Sequence, residues 1–326
     1  MRTRDAHLKV VVASLTRGRP RMLAELIRSW GQMDLPENCD VRFLIVENDS
    51  QPASRGVVEA AEPLGNGARI DYVLETEPGI PFGRNRAARE AIAQGADLLA
   101  FVDDDDTAAR DWLVRMIDGY RRSEAVLLGA PLRIDPSVEG LSFWERLMHD
   151  NVGARYRKKE ERAAARATLH ATNGTTIVTN NWLGETSLFS REGIWFDEAT
   201  RYSGGEDSKF YDEVRQKDFR TGWVKDAYVY ETVPKARLTF GYQYGRARDQ
   251  AITHFLRKIE EQPMKRWGLL VSVPAKMVGA LFLAVALPFT RGGTLLEFAR
   301  TTGWIAGRLG ALMGRRSKHY FNTTGH

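Results

Sequence analysis

Apolar and polar positions along the first hundred residues switch repeatedly between two periods. The run Val10-Val11-Val12-Ala13-Ser14-Leu15 is almost continuously apolar and predicts a buried strand over Lys9–Leu15. In Pro20–Gly31 the apolar positions Met22, Leu23, Leu26, Ile27 and Trp30 fall at helical spacing. The two patterns then repeat: strand at Val41–Glu47, helix at Pro52–Leu64, strand at Ile70–Leu74, an Ala- and Arg-rich helix at Gly83–Gly95, strand at Asp97–Val102. Such alternation predicts an α/β chain whose mainly parallel, Rossmann-like central sheet is flanked by helices. A helix at Trp112–Tyr120 and a strand at Ala125–Gly129 follow, and Arg155–Arg166 reads as a solvated helical face. Asn180-Asn181 and Phe196-Asp197 flank a stretch that reads as small, Gly-rich loops with room for an acceptor.

Ligands of parallel sheets collect at the carboxyl ends of the strands. Three polar segments follow those ends here: Thr16-Arg17-Gly18-Arg19-Pro20, Glu47-Asn48-Asp49-Ser50 and Asp103-Asp104-Asp105-Asp106. The last is the most unusual, four carboxylates in succession after the apolar Ala100-Phe101-Val102. Adjacent carboxylates repel and lose solvation, so a cation is expected beside them. A divalent metal carrying a phosphorylated ligand suits such hard oxygens. The plainer alternative is a solvated acidic turn ahead of the next helix.

Taken in order, Thr16–Pro20, Glu47–Ser50, Arg84-Asn85-Arg86, the Phe101–Asp106 run and Gly204-Gly205-Glu206-Asp207 resemble family 2 glycosyltransferases of the GT-A fold, over roughly residues 8 to 250. The nearest likeness is to bacterial enzymes that build exopolysaccharide or cell-surface glycans. The resemblance implies a UDP-sugar donor and a divalent metal, Mg2+ or Mn2+, with Asp105 and Asp103 as the metal-binding acids and Asp104 at the ribose. Asp106 is expected to cap the following helix. Glu47 or Asn48 resembles the position that meets the uracil ring, with Thr16 beside it, and Arg84 resembles one beside base and phosphates; a surface arginine at a helix start is the alternative for Arg84. Arg17-Gly18 departs from the Tyr-Asn common in relatives.

Asp207 is expected to be the catalytic base, with Glu206 orienting the acceptor; a helix-capping role over Ser208–Val214 is the alternative for Asp207. A carboxylate suits removal of a proton from an attacking hydroxyl, and Gly204-Gly205 permits close approach of backbone and sugar. Base and leaving group on opposite faces imply inversion. Gln243-Tyr244-Gly245-Arg246-Ala247 resembles the Gln-x-x-Arg-Trp element of processive relatives, with Arg246, and less specifically Arg237, as candidate diphosphate contacts. Ala247 replaces the Trp platform, so a single addition is expected rather than polymerisation. Glu231 lies in a segment similar to one near the metal in the same relatives.

Composition changes the picture mainly at the C-terminus. The formal charge of +5 conceals Pro263–His326, where Lys265, Arg266, Lys276, Arg291, Arg300, Arg308, Arg315, Arg316 and Lys318 face one acid, Glu297; that tail carries +8, leaving −3 for residues 1–262. The basic balance therefore gives no reason to expect a nucleic-acid partner. Trp267–Thr290 is long and apolar enough to enter a bilayer, although Pro274, Lys276 and Pro288 argue against a simple spanning helix. Leu295, Phe298, Ala299, Thr302, Ile305, Ala306, Leu309, Leu312 and Met313 form an amphipathic stripe, with Arg300, Arg308, Arg315 and Arg316 outside it. Attachment to an anionic membrane is expected, a helical hairpin packed on the catalytic domain being the alternative. One cysteine, Cys39, excludes a disulfide or a Cys-based zinc site. The first apolar run is too short for a signal peptide.

The expected organisation is a GT-A catalytic domain over 1–255, with a nucleotide-binding half (1–110) and an acceptor half (111–255), then basic helices over 256–326. The expected activity is transfer of a sugar to a lipid-linked or oligosaccharide acceptor at the cytoplasmic face of a bacterial inner membrane. Two other readings remain: a sugar-phosphate nucleotidyltransferase, against which stands the lack of a Gly-rich, lysine-bearing phosphate loop after the first strand, and a non-catalytic nucleotide-sugar-binding subunit.

Overall fold

The computed structural model describes residues 6–201 and 204–315. Arg316 and Lys318, named above, lie outside the described residues. The chain begins β1 (Leu8–Thr16), α1 (Pro20–Gly31), β2 (Cys39–Glu47), α2 (Arg55–Glu59), β3 (Arg69–Leu74), α3 (Ile80–Ala93) and β4 (Leu98–Val102). It continues with β5 (Asp106–Ala108), α4 (Trp112–Arg122), β6 (Leu127–Gly129), β7 (Leu132–Ile134), α5 (Phe143–Arg166), β8 (Asn181–Glu185) and α6 (Ser187–Ser190). After these come α7 (Glu206–Gln216), β9 (Thr221–Trp223), β10 (Val229–Glu231), α8 (Phe240–Glu261), α9 (Leu269–Phe289) and α10 (Leu295–Leu312).

Among the described residues these elements form two compact units, one of residues 6–135 with Tyr156–Thr232, the other of Pro136–Arg155 and residues 233–315. The first unit holds a seven-stranded sheet in the order β3-β2-β1-β4-β8-β6-β9 and a small sheet β5-β10-β7. β8 runs antiparallel between β4 and β6, and the other pairs of the large sheet are parallel. Alternation places Val10, Val12, Phe43, Ile45, Leu98 and Ala100 in one apolar layer and Val11, Ala13, Leu44, Val46, Leu99 and Phe101 in the other. Both faces are covered, which is why these strands read as unbroken apolar runs. Pro20 starts α1, and Leu23, Leu26, Ile27 and Trp30 bury its inner face.

Three local expectations are corrected. The helix expected over Pro52–Leu64 shrinks to Arg55–Glu59, because the Ser54 backbone and hydroxyl are held by Glu47 and Val57-Val58 are poor helix formers. The supposed Gly-rich acceptor loops contain β8, a fully buried central strand. Asn181 there is a structural staple, donating to the Pro131 and Ala227 carbonyls at 2.8 and 3.0 Å and accepting from Trp112 Nε1 at 2.8 Å. Arg155–Arg166 is the later half of the 24-residue α5, and its Ala163 is buried in the core rather than solvated.

In the second unit α8 and α10 lie against one another, and α9 contacts α10. A Cβ on Gly303 would meet the Tyr244 carbonyl oxygen at 2.3 Å, and one on Gly307 the Arg248 carbonyl oxygen at 2.3 Å, so the helices touch backbone to backbone. This close approach also corrects the expected amphipathic stripe. The buried face of α10 includes Leu296, Ala299, Gly303, Gly307 and Arg308, while Leu309, Leu312 and Met313 are exposed. α9 runs through Pro274 without a break. By length and composition it is able to cross a membrane, and only 17% of its most apolar stretch is buried.

Candidate functional site

The carboxyl ends of β1, β2 and β4 bring the polar segments of the first unit together. Register pairs Thr16 with Glu47 across β1 and β2, and β4 ends at Val102, so Asp103 begins the acidic run at the sheet edge. β5 starts at Asp106 and pairs antiparallel with β10, placing Glu231 opposite Asp106. The Thr232 amide donates to the Asp105 carbonyl at 2.8 Å. Five carboxylates thus share one region, with Arg19 and Arg84 as nearby cations.

Each acid has a distinct environment. Asp104 is buried, accepts from Thr16 Oγ1 at 2.9 Å and from Arg19 Nη1 at 2.8 Å, and Arg19 Nη1 also lies 3.4 Å from Asp105 Oδ2. Burial pushes Asp104 up to about 6, with Asp105 adding to the rise and Arg19 and Thr16 opposing it. Burial of its carboxyl group, with Asp105, Asp104 and Glu231 as like charges, pushes Asp103 up to about 7 against the pull of Arg84. The Asp103 side chain nevertheless keeps 44% exposure, so a cation from solution can reach it. Asp106 is buried, its Oδ2 has no hydrogen-bond partner, and burial followed by four like charges raises its pKa well above the ordinary value. It does not cap α4, because the chain enters β5 first and α4 begins after Asp111.

Among the described residues no three His, Cys, Asp or Glu side chains converge as a ready-made metal cage. Asp103 and Asp105 supply a partial set of hard oxygens, of the kind Mg2+ or Mn2+ completes with water and phosphate oxygens. The surplus of carboxylates over guanidiniums and the orphaned Asp106 oxygen fit a cation there.

Arg84 joins this region to the second acidic segment. Its Nη1 lies 2.5 Å from Glu206 Oε1 and its Nη2 3.9 Å from Asp103 Oδ1, and both Arg84 and Glu206 are buried. The surface-arginine alternative is thereby excluded. α3 can carry Arg84 so close to the strand ends because Gly83 precedes it: a Cβ there would meet Leu15 Cδ2 at 2.7 Å. Asn85 holds the approach to Glu206, donating to the Phe196 carbonyl at 2.9 Å and to Glu198 Oε1 at 3.0 Å while accepting from the Phe196 amide at 3.0 Å. Gly204 and Gly205 have φ of 68° and 87°, and Gly205, not Asp207, is the N-cap of α7. Asp207 sits in the first helical turn, accepts from the Ser208 amide at 2.6 Å and remains partly exposed.

Glu47 and Asn48 are engaged within the protein. Glu47 accepts from the Ser54 amide at 2.9 Å, Ser54 Oγ at 2.8 Å and Tyr72 OH at 2.6 Å. Asn48 donates to the Glu75 and Glu77 carbonyls at 3.2 and 2.7 Å and accepts from the Gly79 amide at 2.8 Å. They fix the loops that follow β2 and β3. Asn180 precedes β8, whose Asn181 pairs with Val102, and its Oδ1 is buried without a partner. Arg246 belongs to the second unit, on α8, with its Nε buried and unpartnered. Arg19 and Asn85 take their roles from the fold rather than from any motif. Arg19 carried one usable signal, a cation in the loop at the carboxyl end of β1.

Residues 10–183, just over half of the chain, match the family described as Glycosyl transferase family 2. The chain is 26% identical over 314 residues, 94% of each protein, to the succinoglycan biosynthesis protein ExoM of Rhizobium meliloti (strain 1021). Its fold is similar to that of S. aureus TarS 1-349 solved with UDP-GlcNAc, at 16% identity and a TM-score of 0.51, covering 94% of this chain and 93% of the other. It is also similar to the mannosyltransferase PcManGT of Pyrobaculum calidifontis solved with GDP-Man and Mn2+, at 16% identity and a TM-score of 0.64, covering 96% and 89%.

Proposed function

This chain belongs to glycosyl transferase family 2, and on that premise we propose that it moves a sugar from a UDP-sugar to a lipid-linked or oligosaccharide acceptor, with inversion, in bacterial surface polysaccharide synthesis. The observation that carries the reading is the Arg84 bridge between the carboxylate run and the Glu206-Asp207 pair. It links a cation-binding edge, suited to a nucleoside diphosphate, to a partly exposed carboxylate suited to proton removal. The ExoM relative supports surface polysaccharide as the product class, and the TarS complex supports a UDP-linked donor. Family membership replaces the nucleotidyltransferase alternative.

Asp103 and Asp105 would hold Mg2+ or Mn2+, which when bound offsets negative charge on the departing diphosphate. Thr16 and Arg19 keep Asp104 in place at the ribose side of the site. The loops fixed by Glu47 and Asn48 shape the nucleoside side. Asp207 accepts the proton of the acceptor hydroxyl as that oxygen attacks the anomeric carbon, and Glu206, held by Arg84, fixes the start of α7 beneath it. An α-linked donor then yields a β-glycoside.

Single addition is favoured by the surroundings of Ala247. A Cβ on Gly303 would lie 3.1 Å from the Ala247 Cβ, so a Trp at 247 would force α8 and α10 apart. The exposed apolar face of α9 and the basic tail support attachment to an anionic membrane, on its cytoplasmic face where nucleotide sugars are made. The test supplies UDP-sugars singly with Mg2+ or Mn2+ and a bacterial membrane lipid extract, reading UDP release and the anomeric configuration of the product. Acceptor-dependent release and a β-linked product are expected. Absence of acceptor-dependent release with every UDP-sugar would overturn the reading and favour a non-catalytic subunit.

A further inference from the structure

Arg308 lies on α10 at only 7% exposure, with its Cζ 4.9 Å from the Phe255 ring centroid and 5.0 Å from that of Trp304. Its Nε is buried without a hydrogen-bond partner. Among the described residues no acid compensates it, and burial lowers its pKa. Ring faces offset part of the lost solvation. They leave a buried charge whose Nε–H has no acceptor within the protein. Such a group is expensive to bury for packing alone, since an apolar side chain of similar size fills the space without a charge.

Its position indicates which anion would meet it. Ile252, Phe255, Leu269, Val273 and Ala311 form one apolar cluster, with Trp304 and Ile305 packed against it. Leu269 and Val273 belong to the beginning of α9, so Arg308, one turn from Ala311, stands at the level where that helix starts. The outer face of α9 exposes Leu270, Val271, Leu281, Phe282 and Phe289, the last at 84%. Immediately before α9 come Lys265, Arg266 and Trp267, all exposed, with the Arg266 guanidinium 5.2 Å from the Trp267 ring centroid. An apolar face ending in a belt of tryptophan and basic side chains follows the order of a bilayer from hydrocarbon to headgroup.

We propose that Arg308, at the α8–α10 contact, is a binding site for the phosphate of an anionic membrane lipid, reached when the outer face of α9 enters the bilayer. The inference rests on the membrane reading of α9 given above, and the test separates the two. Co-sedimentation of the full chain is measured with vesicles of phosphatidylcholine alone and of phosphatidylcholine with phosphatidylglycerol. The wild type should bind both, the anionic vesicles more tightly. Arg308→Met should match it on neutral vesicles and lose about fivefold on anionic ones, whereas Lys265→Gln, which removes an exposed charge, should lose less. An undiminished anionic preference in Arg308→Met, or an equal loss in Lys265→Gln, overturns the site and leaves the membrane reading standing. Failure of the wild type to bind either vesicle overturns both. Without vesicles Arg308→Met should melt no lower than the wild type; a lower Tm makes Arg308 a packing element and overturns the proposal. A rise in Tm with inorganic phosphate, seen in the wild type and absent in Arg308→Met, would assign the site to a soluble phosphate and overturn the lipid.

Discussion

Arg84 Nη1 lies 2.5 Å from Glu206 Oε1, and both side chains are buried. The residues are 122 positions apart in sequence, so this contact draws together two segments that read as separate motifs. Removing one member of a buried pair strands the other's charge, at a cost of about 3–5 kcal/mol. Arg84→Met should therefore lower the urea midpoint strongly, and adding Glu206→Met should restore much of the loss. Additive losses in the double variant would show that the two side chains do not couple.

Asp207 is the proton acceptor in the mechanism proposed above, and its Oδ1 accepts from the Ser208 amide at 2.6 Å. Asp207→Asn keeps that acceptor oxygen and the start of α7. Turnover should fall by about 10²–10⁴, the usual worth of a positioned acid or base, with UDP affinity by calorimetry nearly unchanged. Wild-type turnover would remove Asp207 from the mechanism.

The strand and helix periods made the parallel half of the sheet legible, because those strands are buried on both faces and β1, β2 and β4 have few polar interruptions. β8 was missed for a physical reason: Asn181, Gly184 and Glu185 make it look like a loop, yet tertiary hydrogen bonds to Asn181 and Glu185 satisfy those polar groups inside the fold. The acidic run announced its chemistry through its improbable charge density. Its partners were fainter: Glu231 had only the family resemblance and Arg19 only its place after β1, and it is strand pairing with β5 and the hydrogen bond to Asp104 that bring them to the run. The apolar periodicity of α10 sets Arg308 outside the stripe, whereas Gly303 and Gly307 turn their own side of the helix onto α8.

Asp103 and Asp104 make an unusual pH dependence for the metal-free protein. Their folded pKa values, about 7 and about 6, lie above the ordinary 3.8. The folded state thus holds more protons than the unfolded state between about pH 4 and pH 7, and stability falls as pH rises through that window. Melting with a chelator present should show Tm declining across it. Mg2+ or Mn2+ favours the ionised carboxylates, so its stabilisation should grow toward neutral pH and be much smaller in Asp105→Ala. A chelated Tm that climbs from pH 5 to pH 7 would contradict the assignment.

The α8–α10 contact sets a packing prediction that does not depend on chemistry. A Cβ at Gly307 would stand 2.3 Å from the Arg248 carbonyl oxygen and 2.8 Å from the Ala251 Cβ, and neither atom can swing aside as a flexible side-chain end would. Overpacking of this kind costs about 1–3 kcal/mol. On α8 itself, Gly245 has nothing within 4 Å of its would-be Cβ. There alanine improves helix propensity by about 0.5–1 kcal/mol and meets no obstacle. Gly307→Ala should lower the Tm and Gly245→Ala should hold or raise it. The opposite order would mean that the two helices are not in backbone contact.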